Sequence, residues 1–315
     1  MNKDIFDFSL NDLKIEEHRD IEQELSKDPV LQAMYEKIYS TKIQEFCQFM
    51  LDQAFPIPRG ISMKADQLCS RFKEHLPGDY GLELLTLGDM VPEPSNQQQT
   101  ALARFFAGKH FAMIEEDPDS ERSILKVCLG AEALQNRSEE ELLFLMGHAA
   151  ARVTDECPPY HLMLKMASPI GFDQQLLISR LLRFQTTTAA CLGLMACRSL
   201  DAAKQSLFKL ETGINPGLIG VDYDKLSDCQ DGKMSERALI GLDYPAFTAD
   251  PLYFYALEQL KKPLCEDWVI DETEWENYSK AISKANERFH PKLKEMPEED
   301  RHFRERFKIL CMHAV

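Results

Sequence analysis

The stretch from Ser123 to Arg152 constrains the fold more than any other part of the chain. Its first part, Ser123 to Leu129, has the β-branched and apolar content of a short strand and is followed by a Gly-Ala turn. Ser138-Glu139-Glu140-Glu141 then places a Ser at a helix cap and a Glu three residues later, the capping-box pattern. The sequence therefore predicts a strand that leads into a helix from Ser138 to Thr154.

Amphipathic helices account for most of the other predicted elements. Apolar residues recur at intervals of three and four between Asp12 and Phe55, which indicates two or three helices. Asp28-Pro29 is a natural helix start, because proline is tolerated in the first turn. Further helices are predicted at Ile61 to Leu76, Gln174 to Cys197, Asp201 to Leu210, Tyr253 to Leu260 and Glu272 to His313. With a second strand within Ala103 to Glu115, we expect an α+β fold that is mostly helical.

The net charge limits the possible partners. Fifty-two acidic residues against 36 basic ones give a formal charge of -16. Such a chain repels phosphate backbones and anionic lipid. The most basic stretch, Arg301 to Lys308, is interleaved with acids and is typical of a solvated helix face. We therefore expect no nucleic-acid partner.

Cysteine usage and hydropathy predict where the protein resides. The nine Cys have no CxxC spacing, which is typical of a reduced compartment. Met1 to Lys14 lacks the basic and apolar regions of a signal peptide. The longest weakly apolar stretch, Thr188 to Cys197, is far shorter than the roughly 20 residues that a membrane span needs. We expect a soluble, cytoplasmic protein that does not insert into membranes.

Two segments of this chain carry a resemblance to a known class. Ile124 to Gly130, followed by Glu139 to His148 with its Leu-Met-Gly-His centre, resembles the edge strand and active-site helix of HtpX-type zinc metallopeptidases, which are proteases with chaperone function. In that class the helix carries His-Glu-x-x-His, where two His one turn apart hold zinc and the Glu activates a water. The resemblance implies a zincin-like domain, with the active-site helix packed beside a small sheet.

The positions that should hold or use zinc are changed in this chain. The motif is His148-Ala149-Ala150-Ala151-Arg152, so the general base is replaced by Ala149 and the second ligand by Arg152. In the next helix the resemblance places the third zinc ligand at Thr186 and an orienting Asp at Ala190. The matching framework residues there are Arg183, Ala189, Gly193 and Leu194.

The resemblance extends more weakly to Thr248 to Leu257, where Asp250 replaces a histidine of the class. The resemblance covers about Lys109 to Leu260. Ile15 to Leu76 corresponds to the helices that precede the peptidase domain in the class. The predicted organisation is a helical N-terminal region at 1–76, a zincin-like peptidase-type domain at 77–262 and a charged helical C-terminal region at 263–315. We expect Phe303 to Val315 either to begin a further helical domain or to dock on the main domain as a C-terminal helix.

These replacements predict a site without metal, cofactor or catalytic residue. Catalytic zinc takes about three protein ligands, and only His148 remains. We expect Arg152 to supply the local positive charge that the metal would have given, with Thr186, Asp155 or Glu156 as its partner. The alternative is that the Arg152 guanidinium points to solvent.

Two other chemistries have weaker patterns. His148, Cys157 and His161 have ligand-like spacing for a rival metal site, but the sequence offers no fourth ligand. A cysteine nucleophile could pair with His148 or His161, although no local signature supports any pair. Gly-rich phosphate loops of the GxxxxGK[ST] or GxGxxG kind are absent from the sequence.

Together these patterns predict a pseudopeptidase, a catalytically inactive scaffold that binds a peptide or protein in the former substrate cleft. Peptide capture of this kind adds a strand to a sheet edge, which Ser123 to Leu129 is expected to offer. One alternative is an active metal-dependent endopeptidase with an unconventional site. Another is a structural module that oligomerises through residues 12–76.

Overall fold

A computed structural model describes residues 5–38, 54–58, 60, 62–87, 110–116, 122–155, 172–223, 251–260 and 272–289. The chain divides into two compact units, Met1–Ser206 and Leu207–Val315. Helices predominate, and the strands form one small sheet in the first unit. The predicted α+β class with a majority of helix is confirmed.

Among the described residues, the sheet has four strands. They are β1 (Phe55–Pro56), β2 (Tyr80–Leu87), β3 (His110–Glu116) and β4 (Ser123–Gly130), in the spatial order β1-β2-β4-β3. β2 runs parallel to β4, with Tyr80 opposite Ser123. β3 runs antiparallel to β4, with His110 opposite Leu129. In the part of the chain that the structure describes, β3 therefore forms an edge of the sheet and β4 lies in its interior.

The helices of the first unit were largely predicted. They are α1 (Glu16–Ser26), α2 (Pro29–Ile38), α3 (Met63–His75), α4 (Ala131–Asn136), α5 (Glu139–Thr154) and α6 (Phe172–Cys197), preceded by a 3-10 turn at Leu10–Leu13. α7 (Leu200–Thr212) contains the boundary between the units. Ser138 caps α5 in a complete capping box with Glu141, and Asp28 accepts from the backbone N–H groups of the first turn of α2.

α5 and α6 pack closely because glycines face each other where they cross. A Cβ atom at Gly147 would lie 2.6 Å from the carbonyl oxygen of Leu192 and 3.0 Å from the Cα of Gly193. At Gly193 it would lie 2.7 Å from the ring of Phe144. Since real Cβ atoms do not approach other atoms so closely, only glycine permits this separation of the two helix axes.

The two faces of the sheet differ. Leu125 and Val127 of β4 share a face with His110 and are fully buried beneath α5. On the opposite face the ammonium group of Lys126 pairs with the carboxylates of Glu83 on β2 and Glu115 on β3. One face therefore supplies the core, and the other carries an ion-paired ladder at one end.

The beginning of the chain packs across the turn before β2. The N–H of Asp7 donates to the carbonyl of Pro77 at 2.8 Å. The ring of Phe6 meets that of Tyr80 edge-on, with centroids 5.4 Å apart. A Cβ on Gly78 would lie 2.1 Å from the carbonyl oxygen of Ile5, so the backbone passes directly over this glycine.

The second unit is helical in its described residues. It contains α8 (Pro216–Ile219), α9 (Pro251–Gln259) and α10 (Glu272–Phe289). Tyr223 stacks on Phe254 of α9 and meets Phe208 edge-on. The predicted tail helix is confirmed over Glu272–Phe289, and its continuation to His313 lies outside the described residues, as does Phe303 to Val315. Within the described ranges, none of the helices combines the length and apolar character needed to cross a bilayer.

Candidate functional site

His148 lies at the centre of the unit, on the face of α5 that meets the sheet. Its side chain is 2% exposed. Its Nδ1 atom is 3.1 Å from Nε2 of His110, the first residue of β3, so one of these nitrogens donates to the other. The imidazole also stacks on Phe144, one turn earlier, with centroids 5.8 Å apart. The histidine therefore joins α5 to β3.

His148 is held neutral. Burial, with the charges of Arg152 and His110 adding to it, holds its pKa well below the usual value. Its Nε2 atom is fully buried and has no hydrogen-bond partner. A buried nitrogen of this kind is costly to desolvate and is available to accept or donate a hydrogen bond.

The other positions that the resemblance identifies hold either a buried apolar side chain or a hydroxyl that hydrogen-bonds to its own helix. Ala149 on α5 is 2% exposed and Ala190 on α6 is fully buried. The hydroxyl of Thr186 donates to the carbonyl of Leu182, one turn earlier in its own helix, at 3.0 Å. These three side chains supply neither a metal ligand set nor a general base in this arrangement.

The Arg152 side chain is exposed, and its positive charge contributes to the lowered pKa of His148. Its predicted partners are differently placed. Thr186 bonds its own helix, Asp155 contacts a different cation, and Glu156 lies outside the described residues. The pairing of Arg152 therefore stays a prediction.

The cation at Asp155 is Lys14, which the sequence analysis did not single out. Lys14 caps the 3-10 turn and is 2% exposed. Its Nζ atom is 2.7 Å from Oδ1 of Asp155 at the end of α5 and 3.0 Å from the carboxylate oxygens of Glu22 on α1. A buried ammonium thus fastens the N-terminal segment to α5.

His18 and two residues of α6 complete this cluster. Nε2 of the fully buried His18 lies 3.0 Å from Oε1 of Glu22. Its Nδ1 is 3.2 Å from the hydroxyl of Thr188. Gln185 donates to Oδ2 of Asp155 at 3.3 Å. The polar groups of four segments therefore converge within one buried region.

The charges of this cluster stabilise one another. Burial disfavours the Lys14 ammonium, but Asp155 and Glu22 outweigh that effect and raise its pKa. Burial likewise disfavours the Glu22 carboxylate, yet the neighbouring His18 and Lys14 lower its pKa. Sequence reasoning missed the cluster, although His18 and Glu22, one helical turn apart, gave a usable signal.

The remaining predicted ligand and nucleophile residues are mostly outside the described part. Cys157 and His161 of the rival metal site lie there, and so does Asp250. Among the described cysteines, Cys128, Cys191 and Cys197 are buried. Burial raises the pKa of Cys128 to about 12, which leaves it protonated and unsuited to act as a nucleophile.

The predicted peptide-binding edge is wrong. Ser123 to Leu129 was expected to offer its edge, but β4 pairs with β2 on one side and β3 on the other. Its backbone groups are already engaged in the sheet. The outer strands of the described sheet are β1 and β3, and it is the first residue of β3 that contacts His148.

Comparison with known proteins finds no matching family model, no matching curated protein and no matching solved structure.

Proposed function

We propose that this chain is a catalytically inactive, peptidase-like module that captures an extended peptide along the edge of β3. The single observation that carries the proposal is the contact between His110 and His148. It places an antiparallel edge strand beside the helix that resembles the active-site helix of HtpX-type peptidases. An outer strand of this kind can pair with an extended peptide.

The arrangement of β3 supports strand addition. β3 pairs with β4 on one side only among the described strands. Pairing of a peptide with an edge strand uses backbone hydrogen bonds and needs no metal. The half-buried Met113 and Ile114 lie midway along the strand, where a bound peptide would run.

The residues on α5 and α6 support inactivity. Zinc catalysis uses about three protein ligands and an activated water. The corresponding positions provide the buried Ala149 and Ala190, a back-bonded Thr186 and an exposed Arg152. His148 is the one ligand-type residue, and its imidazole engages β3 through Nδ1.

His148 has a different role under this proposal. In a zinc peptidase the metal itself links the helix to the substrate cleft. Here the imidazole pair holds β3 against α5 without an ion. His148 and His110 are thus positioning residues for the peptide-binding edge.

The first test is elemental analysis of the protein purified without chelator, beside a His148→Ala variant. We expect no stoichiometric zinc or other transition metal in either protein. Fluorescein-labelled casein, an unfolded protein, should bind the wild type equally with and without EDTA and remain uncleaved. Because β3 loses its anchor, His148→Ala should bind casein more weakly.

Other outcomes separate the alternatives. An active endopeptidase would be established by two results together. The wild type would contain stoichiometric metal that the His148→Ala variant lacks, and it would cleave casein in a reaction that EDTA stops. Failure of a folded protein to bind casein, together with oligomers in analytical ultracentrifugation, would favour the assembly module. Either result would overturn the proposal.

A further inference from the structure

The cluster around Lys14 contains the side chains of a metal site. His18, Glu22 and Asp155 each offer one ligand atom, and these atoms lie within 4.8 Å of one another. His18 and Glu22 are one helical turn apart on α1, so they face the same side of that helix. One imidazole and two carboxylates suit zinc and other first-row divalent ions.

His18 faces the carboxylate of Glu22 without a hydrogen bond between them. Its side chain is fully buried, with Nε2 3.0 Å from Oε1 of Glu22 but outside hydrogen-bond geometry. Nδ1 meets the hydroxyl of Thr188 at 3.2 Å. When that hydroxyl accepts from Nδ1, Nε2 carries a lone pair towards a carboxylate oxygen. Two lone pairs at this distance repel unless positive charge lies close to both.

The ammonium of Lys14 supplies that charge. Its Nζ lies 3.0 Å from Oε1 of Glu22 and 2.7 Å from Oδ1 of Asp155, two of the three ligand residues. Lys14 sets one positive charge against the two carboxylates. A divalent ion in place of the ammonium would balance the carboxylates fully.

Outer partners that metal sites use are also present. Thr188 fixes the ring of His18, and Gln185 donates to the second oxygen of Asp155 at 3.3 Å. In metal sites such partners orient the ligands and set their affinity. Both reside on α6, whose close packing on α5 holds them in place.

We propose that His18, Glu22 and Asp155 form a divalent-cation site for zinc-like ions that Lys14 keeps filled with its own ammonium group. The N-terminal segment is thereby fastened to α5 and α6 by an internal cation. Removing the ammonium opens the site to a metal ion. This inference is independent of peptide capture, because none of its residues lies on β3.

The test replaces the ammonium and supplies metal. Lys14→Met keeps the length and apolar stem of the side chain and removes its charge. Titration with Co²⁺ should give visible absorption bands at one ion per chain, and Zn²⁺ should displace the Co²⁺ and raise the melting temperature. Wild type should show neither effect. A matched control is Lys27→Met, at an exposed lysine just after α1, which should behave as wild type.

A second variant identifies the ligands. The double variant Lys14→Met/Glu22→Gln should bind Co²⁺ more weakly than Lys14→Met. Loss of a residue that only hydrogen-bonds a ligand lowers metal affinity by roughly 10–100-fold, and loss of the ligand Glu22 should lower it by more. Unchanged affinity in the double variant would overturn the assignment. Stoichiometric binding to wild type at this cluster would show that Lys14 does not hold the site closed.

Folding of the variant is part of the test. Metal that binds only the native form stabilises it by mass action. If Lys14→Met is unfolded alone, refolding with Zn²⁺ should restore its circular dichroism spectrum, and Lys14→Gln should respond in the same way. Failure of both variants to bind or refold with Zn²⁺ or Co²⁺ would overturn the proposal.

Discussion

Nε2 of His110 and Nδ1 of His148 lie 3.1 Å apart and connect the edge strand of the sheet to the central helix α5. The contact joins residues from two segments that the sequence leaves unrelated. It also places a buried, neutral imidazole at the centre of the first unit.

The first prediction concerns this imidazole and pH. Burial holds the pKa of His148 below its usual 6.5. On acidification, His148 therefore gains a proton in the unfolded chain while it stays neutral in the folded chain. Stability should therefore fall as the pH drops below about 6.5, by up to about 1.4 kcal/mol per pH unit for this group, until the folded pKa is reached. Urea unfolding of wild type and His148→Asn between pH 7 and 5 measures the difference.

The Asn variant should have the flatter pH profile. His75 contributes with the same sign, because burial lowers its pKa as well. A His75→Asn variant should remove a separate share of the slope. If the profile of His148→Asn parallels that of wild type, His148 is not held neutral in the folded state.

The second prediction concerns acid stability of the Lys14 cluster. The pKa of Glu22 is lower in the folded protein than its unfolded value of 4.5. Its carboxylate therefore stabilises the fold fully above pH 4.5. This stabilisation is lost as the pH falls through the folded pKa. Glu22→Gln should be less stable than wild type at pH 7 and should lose less on acidification. Thermal unfolding from pH 6 to 3 tests this.

The exposed Glu24 on the same helix provides the matched control. Glu24→Gln should change the free energy of unfolding by less than about 0.5 kcal/mol, as is usual for a surface substitution. Equal acid profiles for the two variants would contradict the assigned role of Glu22.

The third prediction concerns the helix crossing. Gly147→Ala places a Cβ 2.6 Å from a backbone carbonyl of α6, so the helices must separate. Overpacking of this kind typically costs about 1–3 kcal/mol, against a gain of up to about 1 kcal/mol in helix propensity. We expect a net loss of about 2 kcal/mol in chemical denaturation. Gly217→Ala, where the new Cβ would only approach Asn215 to 3.4 Å, should be close to neutral.

The fourth prediction concerns the edge of β3. Backbone N–H groups alternate along a strand, so of two neighbours one points to β4 and the other to the edge. Proline removes the N–H and is tolerated on edge strands. Of Met113→Pro and Ile114→Pro, one should weaken casein binding at least about tenfold with near-normal stability, whereas the other should destabilise the sheet.

The interior strand gives the comparison for that experiment. Val127 is fully buried within β4, so Val127→Pro should unfold the unit. A loss of casein binding in that variant would therefore not test the edge of β3. Retained casein affinity in both β3 variants, with the fold intact, would exclude this edge as the binding surface.

Helix positions could be predicted well from the sequence because their signals are local. The capping box at Ser138 and the apolar periodicity that follows specify α5 within a residue. Asp28-Pro29 likewise marks the start of α2. Each of these signals lies within one turn of the boundary that it sets.

The sheet and the Lys14 cluster could be predicted less well because they depend on contacts between distant residues. The alternation in Tyr80–Leu87 was overlooked, and without β2 the strand Ser123–Gly130 looked like an edge. Nothing near Lys14 in the sequence specifies Asp155 as its partner. The zincin-like domain boundaries and the peptidase resemblance stay predictions.

The ion pair between Lys14 and Asp155 joins residues 141 positions apart, which has a consequence for synthesis of the chain. At about 5–20 residues per second, a ribosome adds Asp155 roughly 7–28 s after Lys14. Throughout that interval the apolar Leu10 and Leu13, buried in the finished protein, lack α6, which contacts their 3-10 turn. The segment around Lys14 therefore cannot complete its native contacts until α5 has been made.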